Sequence, residues 1–259
     1  MNGCCVTREF EWVNSGLMFR VWRLFRAFRA LASRHIVASW RIAVVLGVGF
    51  IFALAQAMPA RAGDTRIVAD FETGSSPWET KEFKGTTDYH IISEAGSKVL
   101  EAHSRDAASG IVFKIEYSLE EYPILSWRWK IEQVLANGDA RHKAGDDYAA
   151  RIYVVFPHWF FPKTRSINYI WANKLPKGES IANPFTSNAM MLALQSGNQQ
   201  AGVWVTERRN VGDDYRRLFG ETPPDVGAIA IMTDTDNSHS EARAWFDDLR
   251  IERADSGAQ

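Results

Sequence analysis

The residues richest in potential chemistry are acids. Asp146, Asp147, Glu207, Asp213, Asp214, Asp234, Asp236, Asp247 and Asp248 fall in short clusters along the second half of the chain. Two carboxylates facing each other across a groove can hydrolyse a glycosidic bond, one as acid and the other as nucleophile or base. The block Asp234-Thr-Asp236-Asn237 offers a second use, since hard oxygen donors gathered in one turn suit calcium. It begins like a calcium loop but lacks the glycine and the distal glutamate of an EF-hand. Asp and Asn side chains also bond their own backbone to make turns, so a plain turn is the alternative. Other chemistry is missing. There is no G-x-S-x-G elbow, no H-E-x-x-H, no P-loop and no G-x-G-x-x-G. His90, His103, His142, His158 and His239 lack zinc-ligand spacing. No cysteine lies beyond Cys5, so the rest of the chain can form neither a disulfide framework nor a thiolate metal site.

Short runs of period two must hold these residues in place, bounded by Gly, Pro, Asn and Asp. Strands are predicted over 66–71, 89–93, 98–103, 110–116, 124–132, 148–156, 167–172, 190–195, 202–209, 227–233 and 242–252. No helical period persists beyond a possible turn at 213–219. Such a series argues for an all-β, two-sheet β-sandwich, most simply a jelly roll. No linker or change of composition interrupts residues 63–259, which read as one domain.

Alternation assigns faces to these strands. Leu125, Trp127, Trp129 and Ile131 share one face of their strand, and Arg128 and Lys130 the other. Ile152, Val154 and Phe156 oppose Arg151 and Tyr153. Charged groups at mid-strand need water, an ion-pair partner or a ligand. A ligand surface is therefore predicted on Arg128, Lys130, Arg151, Tyr153 and Glu207. In it the ring of Tyr153 stacks on a sugar while the charged groups bond its hydroxyls. Asp146 and Asp147 rim this surface from one side, and Glu207 and Asp214 from the other. The competing reading is a solvated sheet face braced by Arg128–Glu207 or Arg151–Glu207 ion pairs.

The net charge of −1 conceals an asymmetry. Residues 1–62 hold eight arginines and two glutamates, a net of +6; the remainder holds 22 bases and 29 acids, a net of −7. A −7 domain is a poor nucleic-acid binder, because phosphate neutralisation needs clustered Lys and Arg. From Ile42 to Ala57 the chain is uncharged and apolar, behind a basic stretch and ahead of the small-residue sites Ala55-Gln-Ala57 and Ala60-Arg-Ala62. These are the parts of a secretory signal, with an uncleaved membrane anchor as the alternative. Met18 is an alternative start, which would leave Cys4 and Cys5 outside the protein. An exported protein, periplasmic or secreted, is expected, touching a membrane only through an uncleaved leader.

Several longer motifs resemble one family. They are Asp70-Phe71-Glu72, Tyr122-Pro-x-Leu125-x-Trp-Arg-Trp-Lys130, Gly145-Asp-Asp-Tyr-Ala-Ala-Arg-Ile-Tyr-Val-Val-Phe156, Asn168-Tyr-Ile-Trp171, Glu207-Arg-Arg-Asn-Val-x-Asp-Asp-Tyr215 and Met232-Thr-Asp-Thr-Asp-Asn237. Over roughly 66–252 they are similar to the bacterial DUF3047 family, which implies export and no particular activity. The opening D-F-E and the closing Phe246-Asp-Asp-Leu-Arg-Ile251 also resemble jelly-roll carbohydrate-binding modules. That likeness implies pairing of the first and last strands. It also implies a structural calcium ion on Glu72 and Asp247, with Asp236 and Asn237 as further donors.

The function expected from these readings is non-catalytic binding of a glycan or cell-envelope component. Two alternatives stand beside it: a polysaccharide-active hydrolase or lyase using paired carboxylates, and a structural envelope protein that binds another protein.

Overall fold

The computed structural model describes residues 65–74 and 77–254. The stretch read as a leader, the expected cleavage sites and both cysteines lie outside the described residues.

Thirteen strands and one helix make two stacked sheets. The strands are β1 (Thr65–Ala69), β2 (Glu79–Lys84), β3 (Asp88–Glu94), β4 (Ser97–Arg105), β5 (Ala108–Tyr117), β6 (Ile124–Ile131), β7 (Arg151–Phe156), β8 (Arg165–Ala172), β9 (Ser180–Asn183), β10 (Thr186–Ser196), β11 (Val205–Asn210), β12 (Val226–Asp234) and β13 (Glu241–Glu252). The first sheet runs β11-β6-β13-β4-β3, with β1 also pairing β13; the second runs β2-β5-β12-β7-β8-β10-β9. All pairings are antiparallel except β8 with β10. The last two strands each occupy the middle of a sheet: β12 between β5 and β7, β13 between β6 and β4. The architecture is the expected β-sandwich, and its first and last strands pair, with Thr65 opposite Glu252. No described helix is long and apolar enough to cross a membrane.

Period-two patterning explains the core. Trp127, Trp129 and Ile131 of β6 are fully buried on the inward face, against Tyr169 and Trp171 of β8. Trp127 and Tyr169 stack across the sheets at 5.3 Å, and Trp129 and Trp171 at 5.8 Å. Aromatic pairs at these separations add to plain burial. Ile152, Val154 and Phe156 complete the layer from β7. The outer face of the second sheet carries a smaller apolar cluster: Ala108, Val112, Tyr153, Val155, Ala228, Ala230 and Met232, with Phe83 packed on it.

The structure adds elements that alternation did not reveal. Strand β2, Glu-Thr-Lys-Glu-Phe-Lys, is an edge strand whose charges hide its pattern. Strand β9 has only four residues and pairs with β10 alone. Residues 148–150 precede β7 instead of belonging to it. The expected turn at 213–219 is a two-turn helix, α1 (Val211–Phe219). The Asn210 side chain caps it by accepting from the Asp213 N–H at 3.1 Å, and Gly220 ends it at φ 70°.

Candidate functional site

A pocket of about 130 Å³ opens on the outer face of the second sheet, where β2, β5, β7 and β12 end together. Its apolar lining is Phe83, Ala108, Phe185 and Met232. Its polar lining is Lys84, Asp146, Arg151, Asp234, Asp236 and Asn237.

Local structure fixes each polar group. Arg151 begins β7 directly opposite Met232 of β12, and from that register its guanidinium reaches two residues on to the Asp234 carboxylate. Both partners of this ion pair are 2% exposed at the side chain. The Arg151 guanidinium also lies over the rings of Tyr148 and Tyr153, 5.2 Å from each centroid. Asp234 ends β12, and its second oxygen accepts the Tyr148 N–H at 3.2 Å.

Asp146 and Asp147 are delivered by a tightly held loop. The Asn173 side chain accepts the Leu135 N–H and donates to the Asp147 carbonyl, at 2.8 and 2.7 Å. Gly145 lies so close to Asp139 that a Cβ there would sit 2.5 Å from the Asp139 nitrogen. The two acids then act on different groups. Asp146 accepts from Tyr148 Oη at 3.0 Å and from Asn183 Nδ2 at 2.8 Å. Asp147 clamps the β12–β13 turn: it accepts the Ser238 N–H at 2.6 Å, and the N–H and side-chain amide of Asn237 at 3.3 and 3.1 Å.

The electrostatics follow from packing so many acids together. Burial is the main cause that raises the Asp234 pKa well above the usual carboxylate value; Asp146, Asp147 and Asp236 push it further, and Arg151 opposes them. Asp146 and Asp236 are raised as well, again by burial first. Oxygens of Asp147, Asp234 and Asp236 come within 4.8 Å of one another, the one such carboxylate group among the described residues. This aspartate cluster could hold a metal ion. Its donors are hard oxygens, although Arg151 and backbone N–H groups already use several of their lone pairs.

Six sequence-predicted residues therefore meet here: Asp146, Asp147, Arg151, Tyr153, Asp236 and Asn237. The other six do not. Arg128, Lys130 and Glu207 belong to the first sheet, and Arg151 and Tyr153 to the second, so the predicted five-residue surface does not form. The two sheets of a sandwich present their outer faces in opposite directions, and sequence alternation cannot say which strands share a sheet. Arg128 pairs with Asp247 and, at 3.2 Å, with Asp248; Lys130 pairs with Glu94. Glu207 stands opposite Trp127, on the inward side of β11, where Gln195 Nε2 donates to it at 2.7 Å and burial raises its pKa. Neither expected ion pair to Glu207 forms. Asp214 is no groove rim: it lies on the buried side of α1 and accepts from Tyr169 Oη, Arg209 and Arg217.

The expected calcium clip between the chain ends is also corrected. Asp236 and Asn237 precede β13, whereas Asp247 lies six residues beyond Glu241, roughly 20 Å along the strand at about 3.3 Å per residue. One ion with ligands near 2.4 Å spans no such distance, as coordination lengths of about 2.3–2.6 Å require. Glu72 bonds the Lys98 N–H at 2.9 Å, and Asp247 is held by Arg128.

The pocket also uses residues that sequence reasoning passed over. Asp234 was visible in the Asp-x-Asp-Asn block. Phe83 and Phe185 left no signal, because one sits on the charged edge strand β2 and the other in the β9–β10 turn.

Comparison with known proteins follows this geometry. The family model described as "Protein of unknown function (DUF3047)" matches residues 76–250. No curated protein matches the chain. Among solved structures, CtCBM11 aligns at 14% identity and TM-score 0.38, over 75% of this chain and 98% of its own. The CBM28 module specific for non-crystalline cellulose aligns at 17% and 0.38, over 71% and 92%. The xyloglucanase domain of NopAA from Sinorhizobium fredii, solved in complex with cellobiose, aligns at 10% and 0.41, over 68% and 93%. Likeness at this level concerns the fold and says nothing of a site.

Proposed function

The chain belongs to the DUF3047 family, and we propose that it binds a glycan, without turning it over, in the Arg151 pocket. The observation that carries this reading is the lining. Two phenylalanine rings stand beside carboxylate acceptors and Lys, Arg and Asn donors in one concavity. A sugar offers apolar C–H faces and hydroxyls that both donate and accept, and such a lining answers both. Binding is favoured over hydrolysis because three of the four carboxylates of the site are engaged in holding the fold: Asp234 on Arg151 and the Tyr148 N–H, Asp147 on the β12–β13 turn, Asp146 on Tyr148 and Asn183. Only Asp236, which accepts from the Asn237 amide at 3.2 Å, is left to meet a ligand, and glycoside hydrolysis needs two working carboxyls.

The basic leader and apolar run of residues 1–62 support action outside the cytoplasm, on an envelope or extracellular polysaccharide. Calcium is the finer reading of the aspartate cluster, with Asp147, Asp234 and Asp236 replacing the ligand set expected from sequence. A glycan array probed with the purified protein, beside a reducing-sugar assay, tests the proposal. Binding that is lost in Phe185→Ala and Asp146→Asn, with no sugar released, is the expected result. Release of reducing ends would make the protein an enzyme. Binding unaffected by both substitutions would move the site elsewhere.

A further inference from the structure

The loop between β7 and β8 has no part in the pocket just described, and it carries an unusual exposure. Trp159 is 92% exposed and Phe160 48%. The rings of His158, Trp159 and Phe160 lie in sequence, with centroids 5.5 and 5.9 Å apart. The loop is firmly held. The His158 N–H donates to buried Thr164 at 3.2 Å, the Phe160 N–H donates to His158 Nδ1 at 2.9 Å, and the Lys163 N–H donates to the Phe160 carbonyl at 2.9 Å. The aromatic tip is thus presented to solvent by a braced loop.

A cavity of about 540 Å³ lies at the base of this loop, with His158, Lys163, Arg165, Asn188, Tyr215 and Glu221 in its wall. Glu221 grips Arg165 through two bonds of 2.8 and 3.0 Å. No carboxylate reaches Lys163 among the described residues. The cavity therefore keeps an uncompensated positive charge beneath the exposed aromatic rings.

We propose that this end of the domain docks on an anionic phospholipid surface, with Trp159 and Phe160 in the interfacial zone and a headgroup phosphate beside Lys163. Adjacent large aromatics held in water are a marker of a contact surface. Tryptophan, with an apolar body and one N–H, is the residue that favours the membrane–water boundary. A convex tip fits a deformable bilayer and needs no matching pocket. Its rings are tilted by 46° to each other, so they do not form the flat platform on which sugar rings stack. Lys163 supplies the charge that an anionic surface attracts. The geometry is also coherent with the pocket at the other end of β7. From Phe156 to Arg151 is five residues, roughly 17 Å at about 3.3 Å per residue, so docking on the loop keeps the acidic pocket at that distance from a surface of like charge.

The test uses the full chain and vesicles of phosphatidylcholine and phosphatidylglycerol in equal amounts, some with brominated acyl chains. The apolar run at 42–57 can hold any variant on a vesicle, so the readout must be local to the loop. Brominated lipid should quench a component of tryptophan fluorescence that Trp159→Phe lacks. Lys163→Glu should weaken the lipid dependence of that Trp159 quenching by about tenfold or more on these vesicles and leave it unchanged on pure phosphatidylcholine, because the reversal changes two charges, each about fivefold near an anionic leaflet. Melting curves matching the wild type confirm that both variants are folded. Equal quenching in wild type and Trp159→Phe overturns the proposal. So does protection of Trp159 by a soluble glycan with no response to lipid, which would make the tip a sugar contact.

Discussion

Replacing Asp234 with Asn removes one negative charge from the middle of the protein and changes almost nothing in shape. The amide oxygen can still accept the Tyr148 N–H, which Asp234 now takes at 3.2 Å. What is lost is the partner of Arg151, whose side chain is 2% exposed. A guanidinium cannot discharge itself by losing a proton. Breaking a buried pair from one side costs about 3–5 kcal/mol, since the remaining charge stays desolvated. Asp146 also attracts Arg151, which favours the lower half of that range. For a domain of this size, each kcal/mol moves the melting temperature by roughly 2–4 °C. Asp234→Asn should therefore melt about 6–20 °C below wild type by calorimetry or circular dichroism. The double variant Asp234→Asn/Arg151→Met should recover part of the loss, because the unpaired guanidinium is gone, although buried Asp146 then loses its attraction to Arg151. A single variant that melts within about 2 °C of wild type would refute the view that the pair carries buried charge, and would mean that Asp234, whose pKa burial raises, is already protonated in the folded protein.

Three further outcomes follow from the geometry. Trp129→Ala should cost about 3–5 kcal/mol, since it empties a fully buried ring site packed on Trp127 and Trp171, and chemical denaturation measures it. Asp236→Asn should raise the melting temperature at pH 7. The folded pKa of Asp236 is raised, so its stabilising contribution is present below the ordinary value of 3.8 and lost as pH rises through the folded value; removing the charge recovers it, and the gain over wild type should vanish in melts below pH 3.8. Gly145→Ala should loosen the loop that carries Asp146 and Asp147, because its Cβ would lie 2.5 Å from the Asp139 nitrogen. Faster amide exchange across 135–147 and weakened ligand binding are the measurements.

Alternation along β6 and β7 was enough to place Trp127, Trp129, Ile152 and Val154 in the core, because burial on one side of a strand writes a period of two into the chain. It located Arg151 and Tyr153 on the outer side as well. It could not tell that their strand lies in a different sheet from Arg128 and Lys130, since sheet membership is decided by pairings between residues far apart in sequence. Glu207 shows a second limit. As a mid-strand charge it reads as part of an outward ligand surface; in the structure it faces inward at an edge strand, where Gln195 Nε2 donates to it. The acids at 146–147 and 234–237 were legible as candidates because their type is chemical. Phe83 and Phe185 were not, because a lone aromatic on an edge strand or in a turn resembles any other apolar residue.

The placement of β12 and β13 bears on when the protein can fold. Both strands come from Val226 onward, yet each lies inside its sheet, β12 linking β5 to β7 and β13 linking β6 to β4. A chain emerging from the ribosome has β5 and β7, or β4 and β6, long before it has the strand that joins them. Their facing edges have no native neighbour until β12 and β13 are made. Closing such distant contacts is slow, because the loop entropy falls due before any pairing offsets it. Until those two strands exist, the unpaired edges of both sheets invite aggregation. Removing β12 and β13 would leave neither sheet intact, so both sheets depend on the same late stretch of chain for their closure.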